Sequence, residues 1–96
     1  METKKTYEEK KEAAVRDWSK KLENLKKKAD QSKADMKLKY YEQIEALRPK
    51  LENARKKLDE LKKTSGDKWE SVKDGVEKAL NDFRNSFDNT LSKFKR

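Results

Sequence analysis

The stretch LDELKKTSGDKWESV, residues 58–72, decides the predicted fold because it contains the clearest helix break in the chain. Its lysine pair, residues 62–63, suits the last turn of a helix, where positive charge faces the negative end of the helix dipole. Gly66 can adopt the left-handed conformation that ends helices. Asp67 precedes Glu70 by three residues, which is the spacing of a carboxylate-capped helix start. The stretch therefore predicts two helices separated by a turn at residues 64–66.

One apolar stripe follows the helical period through the chain before this turn. At 100° per residue its members fall on one face, about a third of the helix circumference. The members are Tyr7, Val15, Trp18, Leu22, Leu25, Ala29, Met36, Tyr40, Ile44, Leu47, Leu51, Ala54, Leu58 and Leu61. Because the stripe keeps its phase, we predict a single first helix over about residues 4–63.

A second apolar stripe follows the turn and predicts a shorter helix over about residues 67–94. Its members are Trp69, Val72, Val76, Leu80, Phe83, Phe87, Leu91 and Phe94. Folded back on the first helix, it pairs Phe83 with Leu47 and Phe94 with Met36, in a nearly constant antiparallel register. The predicted fold is all-α, an antiparallel and coiled-coil-like helical hairpin that forms one domain over residues 1–96.

Pro49 leaves two alternatives for the first helix. Proline removes one backbone hydrogen bond and crowds the carbonyl of Glu45, at a cost of about 3 kcal/mol. No turn-forming residue stands beside it, and Leu47 and Leu51 keep the stripe in phase across it. A kinked but continuous helix is the favoured interpretation, and a true break at Pro49, giving three helices, stays open.

The N-terminal part of the first stripe has no partner in this hairpin, because the second helix reaches back only to about Met36. An uncovered apolar surface of this length promotes association or aggregation in water. We therefore predict a homodimer or higher homo-oligomer. The predicted interface residues are Tyr7, Val15, Trp18, Leu22, Leu25 and Ala29.

Composition argues against catalysis. The chain contains no Cys and no His, and 48% of its residues are charged. Thiolate nucleophiles, the usual zinc sites and the ordinary general base near neutral pH are therefore missing. We expect a non-enzymatic protein without a cofactor or a metal. The start of the chain lacks the apolar segment of a secretory signal, so we expect a cytoplasmic location.

The charge pattern supports two interpretations. The net charge is +8, and an anionic membrane or a nucleic acid is the partner that such a balance suggests. Acidic residues are interleaved throughout, as in the pairs Asp17/Lys21 and Glu23/Lys27, which is typical of a solvated helix face. The amphipathic end of the chain, with Phe94, Lys95 and Arg96, also suits a membrane surface, although packing on the first helix explains it as well.

Four segments carry a resemblance to a known family. They are residues 5–10 (KTYEEK), 40–48 (YYEQIEALR), 65–70 (SGDKWE) and 92–95 (SKFK). Taken whole, the chain resembles a family of small bacterial coiled-coil proteins linked to stress responses and first named from cyanobacteria. The resemblance implies a cytoplasmic helical protein, with no catalytic or binding residues to transfer. Pro49 departs from the helix-forming residue usual there.

These observations lead to two expectations for function. The first is a non-enzymatic, self-associating helical protein, a stress-associated interaction or scaffold protein. The second is an amphipathic helical protein that binds an anionic membrane or a nucleic acid.

Overall fold

The computed structural model describes residues 3–94, which form three α-helices. They are α1 (Lys4–Asp30), α2 (Ala34–Lys63) and α3 (Trp69–Phe94), and a 3-10 turn at Gly66–Lys68 precedes α3. Every regular element in this part of the chain is helical, so the all-α prediction is confirmed. Lys95 and Arg96, named above as candidates for membrane contact, lie outside the described residues.

The prediction of one continuous helix over residues 4–63 is wrong, because the chain reverses at residues 31–33. The stripe has no member between Ala29 and Met36, so no buried contact holds this segment helical. Ser32 donates a side-chain hydrogen bond to the carbonyl of Lys28 at 2.8 Å and a backbone one to the carbonyl of Ala29 at 3.0 Å. Such local bonds compete with helix continuation. Lys33 is then extended, with ψ of 156°.

This reversal makes a three-helix bundle in place of the two-helix hairpin. α2 runs antiparallel to α1, since Lys4 Nζ donates to the carbonyl of Lys62 at 2.9 Å while Tyr41, at the other end, donates to Asp30. α2 is also antiparallel to α3, since Lys50 contacts Asp82 at 3.1 Å while Gln43, earlier in α2, accepts a hydrogen bond from Thr90, later in α3, at 3.3 Å. The bundle measures 52 × 20 × 16 Å between Cα atoms.

The core contains both predicted stripes, including the part that the hairpin left uncovered. The side chains of Tyr7, Val15, Leu22, Leu25 and Ala29 are at most 8% exposed, and Trp18 packs against the same core. The prediction that these six residues lack a partner within the chain is therefore wrong. The turn at residues 31–33 lays α1 on the two other helices, so the reason for expecting an oligomer through these residues disappears.

The helix does continue through Pro49, as the favoured interpretation predicted. Pro49 is exposed on α2, where water can reach the carbonyl of Glu45 that it leaves without an intrahelical partner. Residues 3–94 thus do form three α-helices, but the break lies at residues 31–33 and not at Pro49.

The turn before α3 lies where the sequence placed it. Gly66 adopts φ of +66°, the only positive φ in residues 3–94, and the Thr64 N–H bonds the carbonyl of Leu61 at 3.1 Å. The predicted pairing of Phe94 with Met36 is wrong. Phe94 stacks on Tyr40 with ring centroids 4.0 Å apart, and Met36 is 37% exposed. An aromatic ring gains more from stacking on Tyr40 than from contact with the exposed Met36 in the first turn of α2.

Candidate binding groove

The surface of α1 carries four lysines that we call the lysine ridge: Lys20, Lys21, Lys27 and Lys28. All four are exposed. Lys21 and Lys28 lie on the side of α1 that borders α3, and Lys27 lies between the α3 side and the α2 side. Within residues 3–94, the ion pairs between basic and acidic side chains include none of them. The ridge lysines therefore form no ion pair in this part of the chain, although Asp17 and Glu23 stand one helical turn before Lys21 and Lys27.

The ridge is part of a larger charge asymmetry between the helices. The range Lys4–Asp30 contains ten basic and six acidic residues, whereas Trp69–Phe94 contains four basic and five acidic ones. Since Ala34–Lys63 contains nine basic and six acidic residues, α1 and α2 share the positive charge, and α3 is the helix that attracts anions least.

A groove runs between the C-terminal half of α1 and the C-terminal half of α3, beside the ridge. Its volume is about 440 Å³. Its apolar floor is made by Trp18, Leu25, Phe87 and Leu91. Its polar rim is made by Lys21, Asn24, Lys27, Lys28, Gln31 and Asp88, so that three lysines face a single carboxylate.

Trp18 connects the floor of this groove to its rim. The indole packs edge-on against Phe83 and Phe87, with ring centroids 5.4 and 5.3 Å away. The Lys21 ammonium lies 4.4 Å from the centroid of the same indole. This cation–π contact holds one positive charge over the apolar floor.

A second and larger groove, of about 820 Å³, separates α1 from α2. Leu22, Ile44 and Leu51 form its floor, next to Pro49. Its rim has basic and acidic groups in nearly equal number: Lys26, Lys27, Arg48 and Arg55 with Glu23, Asp30 and Glu52. With its charges this balanced, the groove offers no preference for an anionic ligand.

The opposite end of the bundle is closed by a polar cluster. The Tyr7 hydroxyl donates to Glu77 Oε1 at 2.8 Å, Lys11 Nζ lies 3.0 Å from the same oxygen, and the Tyr7 ring packs on Trp69 at 5.7 Å. Partial burial raises the pKa of Glu77, but the hydrogen bonds from Lys11 and Tyr7 and the charges of Lys11 and Lys73 outweigh it. The pKa of Glu77 is therefore below its ordinary value.

All six predicted interface residues pack in or against the core. Trp18 and Leu25 also line the α1–α3 groove, and Leu22 also lines the α1–α2 groove. A further residue of the groove floor, Leu91, is 38% exposed, whereas the sequence pattern assigned it to the hairpin seam. The stripe gives no signal for this arrangement, because its gap from Ala29 to Met36 is shorter than the gap from Tyr7 to Val15, which lies inside α1.

Neither a metal centre nor a membrane span is found among the described residues. No group of three or more acidic side chains in residues 3–94 is arranged to hold a metal ion. No described helix is long and apolar enough to cross a bilayer.

No protein-family model, curated protein or solved structure matches this chain.

Proposed function

We propose that this chain is a non-enzymatic binding protein that docks as a folded three-helix bundle on an anionic lipid surface. The observation that carries the proposal is the position of the lysine ridge, four exposed lysines that form no ion pair within residues 3–94, next to a groove with an apolar floor. A surface of anionic lipid offers negative charge and apolar chains together, which matches this combination.

The magnitude of the electrostatic term makes such docking feasible. Each Lys near an anionic leaflet contributes about 1 kcal/mol, so the four ridge lysines together contribute about 4 kcal/mol. This attraction is screened over a Debye length of about 8 Å at physiological salt. Binding that rests on the ridge is therefore sensitive to salt and to the fraction of anionic lipid.

Self-association through the first stripe has lost its support, because those side chains pack within one chain. Nucleic acid is the remaining alternative, since lysines also contact phosphates. The ridge contains no Arg, the residue best suited to bidentate phosphate contact, and an apolar floor adds nothing to binding a phosphodiester backbone. Lipid is therefore the partner we favour. The stress association implied by the family resemblance stays a prediction.

Co-sedimentation with vesicles tests the proposal. The protein is mixed with phosphatidylcholine vesicles, with and without phosphatidylglycerol, at low salt and at about 1 M salt, where the Debye length falls to about 3 Å. We expect binding only to the vesicles with phosphatidylglycerol, and loss of that binding at high salt.

Matched variants locate the binding surface. The ridge variant changes Lys20, Lys21, Lys27 and Lys28 to Gln. The control changes four other exposed lysines that have no described ion pair to Gln: Lys56, Lys63, Lys68 and Lys78. Both lose four charges, so a specific ridge predicts loss of binding in the first variant only. Equal weakening in both variants, or binding to duplex DNA but not to vesicles, contradicts the proposal.

A further inference from the structure

The α1–α3 groove has the dimensions of a ligand site. Its volume of about 440 Å³ lies within the range of about 300–1,000 Å³ that is typical of small-molecule sites. Its lining on α1 extends from Trp18 to Gln31, about 20 Å along the helix axis. α1 and α3 form its two walls, and the lining on α3 extends from Phe87 to Leu91, about 6 Å along the helix axis.

The chemistry of the groove selects an amphiphile. Trp18, Leu25, Phe87 and Leu91 give a continuous apolar floor, which a wholly polar ligand cannot use. Leu25 and Phe87 are only 3% and 5% exposed, so a ligand on the floor contacts chiefly Leu91, which is 38% exposed, and the half-buried Trp18.

The charge on the rim selects an anion. Lys21, Lys27 and Lys28 border the groove, and Asp88 is the single acidic residue among the groove residues. The Lys21 ammonium already lies over the indole of Trp18, where it can meet a negative head group at the edge of the apolar floor.

We infer that this groove binds a free single-chain fatty carboxylate, with its acyl chain on the floor made by Trp18, Leu25, Phe87 and Leu91 and its carboxylate at Lys21 and Lys28. The inference shares the lysines of the proposed lipid-docking function and deepens it by naming a molecule that the same site takes. Affinity rises with chain length by about fourfold for each methylene that the floor covers.

The two tryptophans allow a site-specific test. Trp69 lies at the start of α3, about 27 Å along the helix axis from Phe87. The Trp69→Phe variant keeps Trp18 as the only tryptophan, and the Trp18→Phe variant keeps only Trp69. The probe is undecanoate with bromine at the chain end, used below its micelle concentration, since bromine quenches only nearby indole fluorescence.

We expect saturable quenching of Trp18 and at least tenfold weaker quenching of Trp69. In the Trp69→Phe background, Leu91→Glu places a negatively charged carboxylate on the apolar floor, and it should weaken binding at least tenfold. Leu38→Glu makes the same exchange at a residue that is 65% exposed and outside the groove, and it should leave binding unchanged. Circular dichroism verifies that both variants keep the helical content of the parent.

The head group is tested separately. Lys21→Gln with Lys28→Gln should weaken binding of the bromine-labelled carboxylate severalfold, and Lys56→Gln with Lys63→Gln should not. The corresponding bromine-labelled alcohol should bind more weakly than the carboxylate. Any of three results overturns the inference. They are equal quenching of both tryptophans, unchanged binding by a folded Leu91→Glu protein, and equal affinity for the alcohol and the carboxylate.

Vesicle binding and fatty-acid binding are separate readouts. Vesicle binding with no quenching of Trp18 by the monomeric probe overturns the groove inference and leaves the lipid-docking function in place. Saturable quenching without vesicle binding supports the groove inference and contradicts lipid docking.

Discussion

At the scale of single residues, the contact of Tyr7, Lys11 and Glu77 is the best-defined polar feature of the bundle. It joins α1 to α3 where the two helices start, through a hydrogen bond of 2.8 Å and an ion pair of 3.0 Å. Removing one partner leaves a half-buried polar group with fewer hydrogen bonds. Such a change lowers the free energy of unfolding because the remaining group stays desolvated.

Stability at acidic pH is the property that this cluster controls. The pKa of Glu77 is lowered in the folded state, so its ionised form stabilises the fold above the ordinary Glu pKa of about 4.3. That contribution is lost as the pH falls through the lower, folded-state pKa. We expect the free energy of unfolding to drop in this window, and Glu77→Gln to make the drop shallower. Urea denaturation between neutral pH and about pH 3 measures it.

The control for this prediction is Glu42→Gln, which removes an exposed carboxylate from the interior of α2 that has no described ion pair. It should leave the pH dependence as in the wild type. The same pH dependence in wild type and Glu77→Gln would mean that the cluster does not contribute.

At the scale of secondary-structure elements, α2 is the helix that both neighbours pack against, and it contains a proline. The helix extends over 30 residues with Pro49 inside it. Its continuity comes from packing, since Ile44, Leu47 and Leu51 are buried on both sides of the proline. Tertiary contacts of this kind override a weak local propensity.

Pro49→Ala should therefore stabilise the protein by up to about 3 kcal/mol, because it restores a donor to the carbonyl of Glu45 and removes a steric clash. Chemical denaturation followed by circular dichroism measures the change. Asn53→Ala, at another exposed position of α2, is the control and should gain no more than about 0.7 kcal/mol. A loss of stability in Pro49→Ala would mean that the groove lined by Pro49 needs the proline geometry.

At the scale of the whole molecule, one chain covers its own apolar surface. The described part has a Cα radius of gyration of 15.5 Å, and the large apolar side chains that stay exposed are Met36, Leu38 and Leu91. Leu91 belongs to the binding groove. Since a small domain of this kind has a total stability of about 5–15 kcal/mol, each buried residue of α1 matters for folding.

Trp18→Glu combined with Leu22→Glu distinguishes folding from assembly. In the bundle both side chains pack inside one chain, so two carboxylates there should destabilise the fold by several kcal/mol and abolish cooperative unfolding. The control pair, Met36→Glu with Leu38→Glu, adds the same charge at exposed positions and should unfold like the wild type. Thermal unfolding by circular dichroism, with analytical ultracentrifugation, gives both readouts. A wild-type dimer that the Trp18/Leu22 variant converts to a folded monomer would restore the interface predicted from the stripe.

Sequence by itself determined the helical class, the turn around Gly66 and nearly all of the core. These follow from local physics: an apolar period of 3.6 residues selects a helix, and a glycine with positive φ ends one. Leu47 is 2% exposed and Leu38 is 65% exposed, as their positions on and off the stripe indicate. The continuity of α2 through Pro49 also followed from the unbroken phase of the stripe.

Tertiary structure decided what the stripe packs against. A periodic apolar face indicates that a helix is buried on that side, but it does not identify what covers it. The part of the stripe from Tyr7 to Ala29 could therefore be covered by a second chain or by helices of the same chain. The turn at residues 31–33 settles this, and it depends on short polar bonds around Ser32 that periodicity does not record. The groove between α1 and α3 exists only because these two helices lie side by side, and residues as distant in sequence as Trp18 and Leu91 become its floor only in the folded bundle.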